Sequence, residues 1–343
     1  MSTDLTGGLN VEREYVLSKA PTTPEMRDAV NMWVWDDTGE IGLPRFAVEA
    51  VAPEWETHEI HLSVGFKDGR LLRNWESGPA HPTAGPDGRH TKFGAGPLDF
   101  ECVEPFRLYL TTYDGTANIS TFDRFVKSPV DAEIASLSFN IECETVVPPW
   151  VQGTMGKAAA DMMSSTVEAA FMGGDRLEQL CRAKGTINVD GIERAFSGGA
   201  LRVRRQGVRQ ISGFWGHCWQ STVFPSGRAF GYIAYPPRPT GEPSYNEGYV
   251  FMGSGALIPA RVVSAPWLTS LAFDGEDVST VIESDIGTFR IEAQTVMSMP
   301  TISQSGLNFP PLLQSIVRYR WDGEEAYGMM ERSNLPQNVR MPD

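Results

Sequence analysis

The sequence contains no apolar run approaching the ~20 residues that a membrane-crossing helix needs, so no integral membrane segment is expected. Its first residues, MSTDLTGGLNVERE, combine neither a basic start nor an apolar stretch. No export signal is read there, and the expected compartment is the cytoplasm. Cysteine is scarce: Cys102, Cys143, Cys181 and Cys218 are scattered through 343 residues without CxxC spacing, and are expected as reduced thiols. Glycine-rich dinucleotide fingerprints, phosphate-binding loops, G-x-S-x-G elbows and H-E-x-x-H helices are all missing. Histidine is limited to five positions. His58 and His61 would point to opposite faces of a strand, and His81 and His90 fall in a Pro/Gly-rich loop without cysteine. Neither a metal nor a cofactor is expected. Positive charge is also in short supply, 29 basic against 43 acidic residues, for a formal charge of −14. Such a chain repels phosphate, which argues against nucleic acid and anionic membranes as partners. The densest basic run, Arg202, Arg204, Arg205 and Arg209, reads as the solvated edge of a strand.

What the chain has is punctuation. Thirty-four glycines and 24 prolines are spread along its length, and short β-rich segments lie between them. In His58–Phe66, the residues Ile60, Leu62, Val64 and Phe66 share one face, the period-2 pattern of a half-buried strand. A strand about every ten residues, with tight turns and no βαβ rhythm, predicts antiparallel barrels or sandwiches. One stretch departs from this: Lys157–Lys184 is rich in Ala, Met, Leu and Glu, good helix formers, and is bounded by Pro148-Pro149 and Gly185. The expected organisation is mainly β, with an N-terminal β domain over residues 1–155, a helical connection over 156–186 and a C-terminal β domain over 187–343. The acidic-plus-glycine pairs Asp114-Gly115 and Asp322-Gly323 read as turns that echo each other in the two halves.

Chemistry concentrates between Ser212 and Phe251. This segment holds Trp215, Trp219, Tyr232, Tyr235, Tyr245, Tyr249 and Phe251, one histidine, His217, and one strategically placed acid, Glu247. Aromatic walls around a few polar groups describe a pocket for a mostly apolar ligand. An imidazole and a carboxyl there can be tuned by burial into a proton-transfer pair. The bland alternative is a barrel core with rim tyrosines and one hydrogen-bonded histidine. Cys218 sits between His217 and Trp219, but neighbours on a strand face opposite ways, so a His–Cys dyad has poor geometry.

His217-Cys218-Trp219, followed 26 residues after the Trp by Tyr245-Asn246-Glu247, resembles the His-x-Trp…Tyr-x-Asp pattern of carotenoid 1,2-hydratases. Gly96-Pro97-Leu98-Asp99-Phe100-Glu101 running into Glu104-Pro105-Phe106, then Tyr113-Asp114-Gly115, adds to a likeness with the wider tandem lipocalin-like superfamily that includes AttH-type proteins. The resemblance implies two lipocalin-like β-barrels in tandem and a cofactor-independent hydratase, dehydratase or isomerase for a hydrophobic terpenoid or polycycle. It would make Glu247 the acid, Tyr245 its phenol partner, His217 the group that orients water or takes its proton, and Trp219 the π face for a developing cation. Trp215, Tyr232, Tyr235, Tyr249 and Phe251 would bind substrate. Two departures stand out: Glu replaces Asp, and Gly216 occupies the place of the acid that usually precedes the histidine. A non-catalytic lipophilic carrier, or a cyclase or pericyclase working by shape, would use the same pocket. Fold analogy does not choose among them, and the sequence does not say whether the pocket is inside the second barrel or between the barrels.

Overall fold

In the computed structural model, the described residues are 3–127, 133–165, 171, 174–210, 213–238, 240–301 and 310–340. The first half contributes strands β1 (Met26–Asp36), β2 (Ile41–Val51), β3 (Thr57–Phe66), β4 (Arg70–Pro79), β5 (Lys92–Ala95), β6 (Leu98–Glu104), β7 (Leu108–Thr121), β8 (Glu133–Thr145) and β9 (Trp150–Val151). Next come β10 (Asp175–Val189), β11 (Ile192–Val208), β12 (Gly216–Val223), β13 (Arg228–Ala234), β14 (Asn246–Met252) and β15 (Ile258–Ser264). β16 (Thr280–Ser284), β17 (Gly287–Thr301), β18 (Leu312–Trp321) and β19 (Glu324–Asn334) complete the strands, with short helices α1 (Phe122–Lys127) and α2 (Lys157–Ser165). None of the described helices is long and apolar enough to cross a membrane.

Two antiparallel barrels result, as the periodicity predicts. In the first, the sheet runs β4-β3-β2-β1-β11-β10-β8-β7, and pairing of Arg70–Arg73 with Asn118–Thr121 joins β4 back to β7. The β5–β6 hairpin extends from β7. In the second, β12 to β19 close in sequence order, with β12 pairing β19.

The helical connection is much shorter than expected. Helix α2 covers only Lys157–Ser165, residues 166–170, 172 and 173 lie outside the described residues, and Asp175–Lys184 belongs to β10. There, pairing with β8, β9 and β11 overrides the helix preference of Leu, Glu, Gln and Ala. Strands β10 and β11 therefore complete the first barrel, and the joint between barrels falls between Val208 and Gly216 rather than near residue 186. The turn assignment at Asp114-Gly115 also fails, since both residues lie inside β7. The echo between the halves is instead Asp190-Gly191 and Asp322-Gly323. Each pair has positive φ at both residues and closes a two-residue hairpin, β10–β11 and β18–β19.

Strand parity decides where each side chain goes. Ile60, Leu62, Val64 and Phe66 do share a face, and pack inside the first barrel with Met32, Val34 and Phe46. Phe230, Tyr232, Val250 and Tyr319 fill the second. A third apolar cluster lies between the barrels, where Trp33, Trp35, Leu180 and Leu201 of the first meet Trp219, Ile233, Tyr249 and Ile316 of the second. This seam is why every residue of β12 is buried. Gly42 permits the closest approach: a Cβ there would stand 2.3 Å from Ile316 Cγ1 and 3.0 Å from Met297 Sδ. Gly42→Ala is expected to lower stability by about 1–3 kcal/mol in urea titration, the cost of overpacking, and Ile316→Val to restore part of it. An unchanged midpoint would show that the two barrels separate freely at this point.

The basic run is not a solvated edge. Arg202 and Arg204 point into the first barrel, where they pair with buried Glu14 and Asp28, while Arg205 is buried on the opposite, seam-facing side. On a strand covered on both sides, long basic side chains at successive positions are buried on opposite faces, a situation that a charge count does not reveal.

Candidate active site

The outer face of the second barrel presents two adjacent rows to the seam. His217 lies across from Ser333 and Leu312, and Trp219 lies across from Glu331, which in turn faces Gln314. Ser333 Oγ is 2.7 Å from His217 Nδ1, and Nε2 of the same ring lies 3.0 Å from Glu331 Oε1. A carboxylate only accepts, so Nε2 carries the proton of that bond. Gln314 Nε2 donates to the other Glu331 oxygen at 2.6 Å. Burial alone would raise the Glu331 pKa, but the His217 and Gln314 donors and the charge of Arg45 outweigh it and hold the carboxyl down at about 2. Ser333 and Glu331 thus fix the orientation of the His217 ring from both nitrogens.

Trp219 reaches across the seam. Its Nε1 donates to Glu178 Oε2 at 3.0 Å, Trp33 meets it edge-on at 4.5 Å between centroids, and Arg176 lies 4.5 Å from its ring centre. Glu178 also accepts from Gln152 Nε2 at 2.9 Å and pairs with Arg176 at 2.8 Å. Burial pushes the Glu178 carboxyl up to about 7, although Arg176 and the Trp219 and Gln152 donors oppose the rise. Sequence reading missed Glu178, Arg176 and Glu331. Glu178 and Arg176 fall in the stretch expected to be helical, and an outward-facing charge on a strand normally signals solvent.

Tyr245 and Glu247 form a separate cluster on β14 and the loop before it. The Tyr245 hydroxyl donates to Glu247 Oε2 at 2.5 Å, and the backbone amides of Gly153 and Met155 donate at 2.7 Å to Oε2 and Oε1. Both oxygens of this buried carboxyl are occupied as acceptors. In register, Trp219 pairs with Ile233 and Ile233 with Glu247, so two strand spacings, roughly 10 Å, separate the two backbones. Tyr249 and Phe251 continue along the seam face, where Tyr249 meets Trp150 at 5.6 Å. Tyr235 packs on Tyr245, and Trp215 packs on Tyr235 while donating to the Pro236 carbonyl at 3.0 Å. Tyr232 does not join them. Its parity sends it inside the barrel, with its hydroxyl 3.3 Å from Cys218 Sγ. All the other expected site residues face the seam cluster, which locates the arrangement between the barrels.

Residues 13–336 match the sequence model of a domain of unknown function, DUF7064. The chain belongs to the DUF7064 family. No curated protein matches it in sequence. Among solved structures, it is similar to a protein assigned as AttH (NE1406) from Nitrosomonas europaea, with 15% identity, a TM-score of 0.56, and 95% of this chain and 99% of that chain covered. It is similar to CghA at 10% identity and a TM-score of 0.52, covering 98% and 97% of the two chains. Kievitone hydratase from Nectria haematococca matches at 10% identity and a TM-score of 0.51, covering 97% and 98%. At these identities the likeness is one of fold.

The DUF7064 seam contains two carboxyls driven apart by their surroundings. Glu331, hydrogen-bonded to an imidazole, stays ionised far below neutrality, while Glu178, dry and against indole, holds its proton near neutrality. Such divergence is how one site separates an acid from a base.

Proposed function

We propose that this DUF7064 protein is an acid–base enzyme of the hydratase, dehydratase or isomerase type, acting on a hydrophobic small molecule in the seam. The observation that carries the reading is Glu178, a carboxyl with its pKa at about 7, hydrogen-bonded to Trp219 in an aromatic wall. Glu178 gives its proton to one alkene carbon, and the cation that forms on the other faces the indoles of Trp219 and Trp33. Water adds to that carbon, and its proton leaves toward His217, whose partner Glu331 stabilises the imidazolium. The reverse sequence removes water, and loss of a different carbon-bound proton moves the double bond.

The tandem barrel shared with kievitone hydratase supports this reading at the level of fold. It requires none of the residues to bind a metal or cofactor. The test is to incubate the protein with a lipophilic extract in H₂¹⁸O and D₂O and follow products by mass spectrometry. Gain of one labelled water marks hydration, and deuterium at carbon without a gain of water marks isomerisation. A compound that is bound but recovered unlabelled and unchanged would instead identify a carrier.

A further inference from the structure

The seam-facing side of the first barrel carries more positive charge than it can match. Across the strands, Glu59 of β3 is opposite Glu49 of β2, which is opposite Ala29 of β1, then Arg205 of β11 and Arg176 of β10. Directly opposed residues share a face, so this is one lateral row. Arg27, Arg45 and Arg209 lie around it. Arg27 pairs with Glu49, Arg45 donates to Asn31 Oδ1 at 3.0 Å, and Arg209 donates to the Phe171 carbonyl at 3.2 Å and stands 4.0 Å from Glu49. Arg176 holds Glu178. Arg205 is 5% exposed, yet its side chain makes no hydrogen bond or ion pair among the described residues, and its Nε is buried without a partner.

A buried guanidinium without a hydrogen-bonded counter-ion is costly; Arg209, Arg176 and Arg45 repel Arg205, and Glu49 attracts it only through space. Five guanidinium groups, of Arg27, Arg45, Arg176, Arg205 and Arg209, face Glu49, Glu59 and Glu178 on this barrel and Glu331 across the seam, so one positive charge is left over, or two where Glu178 keeps its proton. Ala29, the small residue beside Arg205, is fully buried and puts no side chain of any length between Glu49 and Arg205. The site adjoins the candidate acid: Glu178 is opposite Val203, so Arg205 is its diagonal neighbour, about 7–8 Å away in the backbone.

We propose that the seam recognises an amphipathic carboxylic acid, with its carboxylate on Arg205, flanked by Arg209 and Arg45, and its apolar body against Trp33 and Trp219. This rests on the seam being the ligand site, but not on the acid–base step. Planar guanidinium groups suit the two oxygens of a carboxylate, and the charge deficit fits a monoanion on a hydrophobic body.

The test uses 4-phenylbutyrate and its neutral analogue 4-phenylbutan-1-ol, titrated against the full chain by tryptophan fluorescence and calorimetry. Phenylbutyrate is expected to bind about tenfold or more tightly than the alcohol, as a hydrogen-bonded charge contact would give. Arg205→Met should bring the two affinities within about twofold while leaving the melting temperature unchanged or higher, because the side chain gives up no hydrogen bond or ion pair and its charge is costly to bury. Arg205→Lys should keep part of the preference. Equal affinities in the wild type, no saturable phenylbutyrate binding, or a preference retained in Arg205→Met would each overturn the assignment. So would a failure of Arg205→Met to fold, which would make Arg205 a structural group. Glu178→Gln separates the two proposals: it should retain the phenylbutyrate preference even where turnover is lost.

Discussion

Replacing Glu178 by Gln is expected to reduce turnover by roughly 10²–10⁴-fold, the range lost when a general acid is removed. Shape and most hydrogen bonding survive the change. The Gln carbonyl can still accept from Trp219 Nε1, and Gln152, whose own Oε1 has no partner, can turn its amide to receive the new NH₂, while Arg176 loses the oxygen it pairs with. The wild-type rate should fall as pH rises through about 7, where the acid loses its proton, and this limb should vanish in Glu178→Gln. A second readout needs no substrate. The carboxyl binds its proton more tightly folded than unfolded, since burial raises it from about 4.5 to about 7. Between those values the folded state holds more protons, so stability falls as pH rises through that window. For this one group the loss totals about 3 kcal/mol. Urea midpoints for wild type and variant, compared at pH 5 and pH 8, should therefore converge at low pH and diverge at high pH, with the wild type losing more. Parallel midpoints would show that Glu178 is an ordinary ionised partner of Arg176, and would remove it from the acid role.

The sequence carried the fold further than the site. Alternation in His58–Phe66 and the regular turns specify antiparallel barrels because the period-2 pattern is written into each strand. The failure at Asp175–Lys184 has a definite cause: its residues have good intrinsic helix propensity, and only the cross-strand partners in β8 and β11 make the segment a strand. The same error hid Glu178. Two-sided burial hid the rest. Once the barrels pack against each other, strands such as β1 and β12 have no solvent face, so polarity no longer reports exposure. Arg205 and Glu331 look like surface charges in the sequence and are buried in the molecule. The motif His217-Cys218-Trp219 was legible, and parity correctly separated Cys218 from its neighbours. Tyr232 was misplaced because aromatic content was weighed there without parity.

Glu247→Ala is expected to cost about 4 kcal/mol of stability, because the side chain works as a latch between the barrels. β9 leaves the first barrel beside β10, and the loop after it delivers the Gly153 and Met155 amides to a carboxyl on β14 of the second. Gly153 sits at φ +83°, and a Cβ there would meet Met163 Cγ at 2.8 Å, so the turn that aims its amide is tightly constrained. Alanine strands two backbone donors and the Tyr245 hydroxyl in a dry site, each orphan costing about 1–3 kcal/mol. Glu247→Gln should cost about half as much, since one oxygen still accepts while the new NH₂ opposes a backbone N–H. Urea unfolding followed by tryptophan fluorescence measures both, and turnover on folded protein completes the test. The resemblance to carotenoid 1,2-hydratases makes the opposite forecast for Glu247→Gln: intact stability and no turnover. If both variants unfold at the wild-type urea concentration, the latch is wrong and the carboxyl returns to the reaction. If Glu247→Gln is weakened yet active, proton donation stays with Glu178, and the Tyr245-Asn246-Glu247 element of this chain serves to hold the two barrels at the spacing the seam requires.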